Sequence, residues 1–392
     1  MTHRITVDER RARVAERHRL VPSARASSVV DVTRGLVCLH ATDPATVYLS
    51  VWSRMTQPTI EAVDRALYQD RSLLRMLAMR RTMFVVAVEE APFFHAAAAL
   101  PIARTERKRN QALAAMLGIR HPSPWLRKAE KAALAVLEQR GEATAQELAM
   151  DVPALRRKVR ANVGKRYEGN IGMSSRVLLL LGLEGRVVRA RPRGTWVSSQ
   201  YRWAPMHRWL GRPMSQVPAS EAQVEVVRRW LARFGPGTEA DIRWWTGWTA
   251  RVVRAALATI GAVEVDLDGQ RGFVLPGDLE PTPKPKPWVA LLPALDPTTM
   301  GWQIRDWYLG GHKSALFDRN GNAGPTVWVG GRIVGGWAMR ANGEVVTRLL
   351  EDVGRGAARA VEAEAARLTR WIGAAPAVAR FPTPLATELM RG

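Results

Sequence analysis

The chain has 392 residues, with 58 Lys+Arg against 36 Asp+Glu and a net charge of +22. Hydrophobic residues make up 47%, which excludes a disordered chain, and the length exceeds what one core usually organises. Basic residues run along the whole chain, so the expected partner is a polyanion, nucleic acid first.

At the N-terminus, "MTHRITVDERRARVAERHRL" is charged and lacks the apolar core of a signal peptide. The longest aliphatic run, Val177–Leu181, is too short to span a bilayer. A cytoplasmic protein with no membrane partner is expected. A single cysteine, Cys38, excludes an intrachain disulfide, and its neighbours Leu36, Val37 and Leu39 predict a buried thiol.

Next, "LVCLHATDP" (36–44) reads as the end of a helix spanning Val29–Leu39, with Pro44 biasing Asp43 towards extended backbone. In an extended segment His40 and Thr42 face the same side, whereas a helix would splay them about 200° apart. The same residues also fit a polar helix end that satisfies backbone groups. Beyond it, "ATVYLSVW" reads as extended and "TIEAVDRALYQ" as a helix. In "LLRMLAMRRTMFVVAV" a helix is expected to run into a strand, and a basic stretch, "ARTERKRNQ", follows.

An internal repetition comes next. "EKAALAVLEQRGEATAQELA" (130–149) and "VEVVRRWLARFGPGTEADIRWW" (224–245) both read as helix, break, Thr-capped helix. Thr144 with Glu147 and Thr238 with Asp241 have capping-box spacing. A third helix and a β-ribbon follow in each copy, with turns expected at 191–194 and 268–269. Three helices and a hairpin form a winged helix, a duplex-binding arrangement. Arg176, Arg186, Arg191 and Arg193 in the first copy, and Arg243, Arg251, Arg254 and Arg271 in the second, are the expected DNA contacts. The N-terminal part reads as a third, degenerate copy. "EPTPKPKPW" (280–288) is a stiff spacer, followed by β-like segments with a Gly330-Gly331 turn and a helix over Glu351–Trp371.

No phosphate loop, GxGxxG or GxSxG motif occurs, and neither the histidines nor the lone cysteine have zinc-ligand spacing. No metal, nucleotide or other cofactor is therefore expected. "GNIG" (169–172) has the form of an RNA-binding GxxG loop, the basis of a weaker RNA-binding alternative.

The order "LVCLHATDP", "YLSVWSRM", "RALYQDRSLLRMLAMRRTMFVV", "GPGTEADIRWWTGWT", "LLPALDP" and "GGRIVGGW" resembles the winged-helix DNA glycosylases of the AlkZ/YcaQ type, over roughly Ala12 to Trp371. The resemblance implies an α+β fold of three tandem winged-helix domains with a C-terminal β-barrel-like domain. It also implies excision of bulky alkylated or interstrand-crosslinked purines from duplex DNA without metal or cofactor. The expected boundaries are 1–120, 121–215 and 216–279 for the winged-helix units, 280–288 for the linker and 289–392 for the barrel with its helical flank.

The family's Gln-x-Gln or Gln-x-Asp motif falls on His40 and Thr42, with Pro44 in the family's proline place. "MRRTMF" (79–84) resembles M-R-G-T-x-H but differs at Arg81 and Phe84. The resemblance makes His40 and Thr42 the candidates for holding water at C1′, with Asp43 orienting His40 or stabilising positive charge. Trp52, Arg54, Arg80 and Arg81 become candidate cleft contacts. A monomer acting on damaged double-stranded DNA in the nucleoid is expected, the alternative being a non-catalytic winged-helix DNA-binding protein.

Overall fold

The computed structural model describes residues 3–161, 164, 169–373 and 379–391, and its fold is mixed α and β. Three small sheets recur in chain order. In the first, Leu39–His40 pairs antiparallel with Met83–Ala87, which pairs with Leu73–Leu77. In the second, Ala143–Thr144 pairs with Tyr201–Pro205, which pairs with Val187–Pro192. In both, a short early strand lies beside the last strand of the unit. The third sheet joins Val263–Leu267 and Gln270–Val274 with the N-terminal strand His3–Arg4, and Gly237 bridges Phe273 where the other units carry their short strand.

Both repeated helix starts form as the spacing dictates. Thr144 caps Ala145–Asp151 and Thr238 caps Glu239–Thr246, each with a reciprocal box closed by Glu147 or Asp241. Third helices Met173–Leu183 and Ala250–Ile260 follow. The Asp268-Gly269 turn joins two strands, with φ 53° and 87°. The ribbon after Met173–Leu183 has a longer connection than the expected four-residue turn, since its second strand begins only at Tyr201.

Several N-terminal elements differ from expectation. The helix beginning at Val29 stops at Gly35, and Val37 (φ 64°) turns the chain into the Leu39–His40 strand. "ATVYLSVW" is not extended: Pro44–Trp52 is a helix with Asp43 at its N-cap and Pro44 at its first position, where a missing N–H is harmless. "LLRML" is a strand, and the expected helix-to-strand passage is a β-hairpin turning at Met79–Arg81. Its ten strand residues are all buried, so the sequence lacks the alternation that marks a half-exposed strand. "GNIG" is itself a strand, Gly169–Gly172, paired with Lys158–Ala161, which removes the GxxG-loop reading.

Glu280–Pro287 has no helix or strand, as expected of a proline spacer. The C-terminal strands Val289–Leu292, Thr326–Val329, Arg332–Met339 and Val345–Leu349 pair consecutively in an open antiparallel meander. Among the described residues its two outer strands are not joined, so the expected barrel-like closure is not found. Gly330-Gly331 makes the tight turn (φ 55° and 88°), and helix Arg355–Ile372 packs on the outer strands.

An aromatic core of Phe234, Trp302, Trp307, Tyr308 and Trp328, with His18 at its edge, fastens this sheet to the rest. Deeper still, Arg54 and Asp296 form a fully buried ion pair at 2.6 Å. Asp296 also accepts from Ser50 Oγ (2.9 Å), and Arg54 donates to Thr298 Oγ1 (2.8 Å) and to the His18 carbonyl (3.0 Å). No helix among the described residues is long and apolar enough to cross a membrane.

Candidate functional site

A cleft of about 830 Å³ opens between the first and second units. Thr42, Leu77, Arg81 and Met83 line one side, and residues from Thr144 to Trp203 line the other, with Arg380 and Phe381 arriving from the C-terminal segment. Thr42 reaches it because strand pairing continues through Ala41, whose N–H donates to the Met83 carbonyl at 2.9 Å, before the chain bends into the Asp43 cap.

His40 lies directly behind, 8% exposed and edge-on to Phe84 at 5.4 Å between ring centroids. Two of the departures from the family pattern, His40 and Phe84, are thus direct cross-strand partners. Burial, with Arg80 adding repulsion, pushes the imidazole down to about 3. His40 is therefore neutral throughout the physiological range and too weakly basic to abstract a proton there. Its Nδ1 accepts a long hydrogen bond from the Thr42 N–H (3.5 Å), which leaves the ring proton on Nε2.

Asp43 is fully occupied by the backbone. Oδ1 accepts the Ala45 N–H (3.1 Å), capping the helix, and Oδ2 accepts the Arg380 N–H (2.9 Å). Burial raises its pKa, opposed by those two hydrogen bonds and by the Arg380 charge. It makes no hydrogen bond to His40 among the described residues, so the expected orienting contact is not formed. Arg75, 3% exposed, supports the same loop from below by donating Nη1 to the Ala41 carbonyl (3.3 Å).

Trp52 and Arg54 do not line the cleft. Both are fully buried, Trp52 in the core beneath Arg367 and Arg54 in the pair with Asp296. Arg80 and Arg81 form the turn of the first hairpin, both at positive φ (53° and 60°). Arg80 stacks on Trp244 of the third unit (4.4 Å), and only Arg81 of the two faces the cleft, paired with Glu106 at 2.9 Å.

Among the second unit's arginines, Arg176 and Arg193 line the cleft. Arg176 is held by Glu106 and Asn110, and Arg193 by Glu147. Arg191 pairs with Asp64 at 3.3 Å, while Arg186 borders a different cavity of about 660 Å³. In the third unit, Arg243 and Arg254 share Glu239, Arg271 pairs with Glu264, and Arg251 is exposed without an ion pair among the described residues. None of these four lines the cleft.

Cleft residues that the sequence reading passed over are Arg109, Arg189, Tyr201, Trp203 and Arg380. Strand alternation in "RVVRARP" could have placed Arg189 on one face with Arg191. Nothing local marks Arg380. Cys38 is buried with its thiol pushed well up, as an inert core cysteine requires. No group of three or more His, Cys, Asp or Glu suited to a metal occurs among the described residues.

The fold has a solved counterpart. The Streptomyces sahachiroi DNA glycosylase AlkZ superposes with a TM-score of 0.72 at 24% identity, over 97% of this chain and 99% of that one. In sequence, the Streptomyces sahachiroi "Interstrand DNA cross-link repair glycosylase" is 30% identical over 171 residues, which cover 41% of this chain and 45% of that relative. The match therefore spans less than half of the curated relative's length. The DNA glycosylase AlkZ-like family matches residues 33–371, and the chain belongs to that family.

Proposed function

We propose that the protein is a DNA N-glycosylase that binds duplex DNA and hydrolyses the N-glycosidic bond of bulky alkylated or interstrand-crosslinked purines. In this reading three winged-helix units, close to the expected boundaries, present the cleft to the duplex as a monomer, and the protein works in the nucleoid. Family membership supports the reaction class. The observation that carries the site is Thr42 lining the cleft above a neutral, buried His40.

A purine alkylated at N7 already carries positive charge, so its departure needs no general acid. As the glycosidic bond breaks, the purine takes the bonding pair and C1′ gains oxocarbenium character. A water oxygen then bonds C1′ and its proton passes to solvent. Thr42 Oγ1 accepts a hydrogen bond from that water, and the His40 Nε2–H orients it without adding charge beside the developing cation. Asp43 acts here as the cap that holds the loop, not as a charge facing the sugar. A cleft open to solvent suits a bulky lesion better than an enclosed pocket does.

The test is release of 7-alkylguanine, and of a crosslinked base, from duplex DNA, with formation of an abasic site. His40→Ala is expected to slow release about 100-fold, the loss typical of removing one positioned hydrogen-bond donor. Unchanged release in that variant would remove the assigned role. Tight duplex binding with no release from any lesion would favour the alternative, a non-catalytic DNA-binding protein.

A further inference from the structure

Among the described residues six arginines line the cleft, and no carboxylate does. Four of them are neutralised from behind. Glu106 takes Arg81 (2.9 Å), Arg109 (3.9 Å) and Arg176, and Glu147 takes Arg193. Arg189 and Arg380 differ: neither has an ion pair among the described residues, and Arg189 lies within the repulsive field of the Arg380 charge.

Arg189 is held by aromatic faces instead. Its guanidinium lies 5.2 Å from the ring centroids of both Tyr201 and Trp203, its direct cross-strand partner. Arg75 stacks on the other partner ring, 4.9 Å from Tyr201. Three buried polar atoms of this cluster have no partner among the described residues: Arg75 Nε, Arg189 Nε and the hydroxyl of Tyr201, a residue only 8% exposed. Buried donors are rarely left this way, least of all around clustered like charges. The nearby carboxylate of Asp43 already accepts two backbone N–H groups, one of them from Arg380 itself. Asp43 thereby ties the segment carrying Arg380 to the loop carrying Thr42.

We propose that Arg189 and Arg380 form a phosphate subsite, which holds a backbone phosphodiester of the strand whose reacting sugar faces Thr42. A phosphodiester supplies the missing anion, and guanidinium groups match its oxygens. Because Asp43 joins the two loops, the subsite sets the distance between that phosphate and the water at Thr42. This assignment rests on the glycosylase reading above.

Binding of the full chain to a duplex carrying one tetrahydrofuran abasic analogue, measured across a salt titration, tests it without requiring catalysis. Arg380→Ala and Arg189→Met are each expected to weaken binding about tenfold at low salt. Each should also lower the slope of log K against log salt by about 1. Arg380 is exposed, so Arg380→Ala should keep the wild-type melting temperature, and Arg189→Lys should recover most of the slope.

A neutral methylphosphonate, moved in turn through the phosphates flanking the analogue, should weaken the wild type at one position. The same substitution should leave the Arg189→Met/Arg380→Ala double variant unchanged there. Unaltered salt slopes, or methylphosphonate effects that add to the double variant at every position, overturn the subsite even if base release is normal. Failure of the wild type to bind duplex DNA at all would overturn the glycosylase reading itself, ahead of the subsite.

Discussion

The first and second units share a strand order but treat the start of their second helix in opposite ways. In the second unit, Ala143–Thr144 runs straight into its helix, and Thr144 is consumed as the cap, with Glu147 closing the box. In the first, two residues separate His40 from the cap, and Asp43 with Pro44 does the work of starting the helix. Those two residues, Ala41 and Thr42, bend the chain so that Thr42 faces the cleft. The difference continues into the helices: all nine residues of Pro44–Trp52 are buried, whereas Leu148 alone is buried in Ala145–Asp151. A helix enclosed on every side gives the first junction a rigid base, which the proposed water-positioning role of its loop requires.

Rigidity of that base can be broken first. Arg54→Met removes one partner of a fully buried ion pair and strands the other, so a loss of about 3–5 kcal/mol in denaturant unfolding is expected. A loss below about 1 kcal/mol would show that the first unit does not depend on its attachment to the C-terminal sheet. Capping separates the two junctions next. Thr238→Ala and Thr144→Ala should each cost about 1 kcal/mol, read as a lower melting temperature, whereas Thr42→Val should cost much less.

How much of this was legible follows from distance along the chain. Both capping boxes span three residues, so Thr144, Glu147, Thr238 and Asp241 announced themselves. The Arg54–Asp296 pair joins residues 242 apart, and no local pattern reports it. For the same reason Trp52 and Arg54 read as candidate cleft contacts, whereas both side chains are fully buried. The strand Leu73–Leu77 was hidden because both its faces are covered, leaving apolar residues on either side of a buried Arg75, a pattern that fits a buried helix equally well. The resemblance pointed to His40 and Thr42, of which Thr42 lines the cleft, whereas Arg189 and Arg380, far apart in the chain, come to that cleft only through the fold.

The pH dependence sharpens the contrast from another side. His40 titrates near 3 in the folded chain, and His18, also buried, is lowered well below its ordinary value. Between those values and the unfolded value of about 6.5, the unfolded chain binds more protons, so stability falls as pH falls. The expected slope is about 1.4 kcal/mol per pH unit for each such histidine. His40→Gln should flatten the melting-temperature profile below about pH 6. An unchanged profile would mean that His40 is not buried as a neutral ring.

A smaller effect concerns the first hairpin's turn. Arg80 and Arg81 both occupy the left-handed region, where a side chain costs roughly 1–2 kcal/mol. Arg81→Gly relieves that strain and gives up a half-exposed pair with Glu106. A gain of about 0.5 kcal/mol is expected from thermal unfolding, and a clear loss would mean that the ion pair outweighs the backbone.

The most direct measurement is the single-turnover rate of 7-methylguanine release from duplex DNA for Thr42→Val, His40→Ala and Thr238→Ala, the last a helix cap outside the cleft, compared at a temperature where all three remain folded. Losses of about 100-fold for His40→Ala and about tenfold for Thr42→Val are expected, with Thr238→Ala near wild type. Equal rates in all three variants, or a loss confined to Thr238→Ala, would contradict the assigned roles.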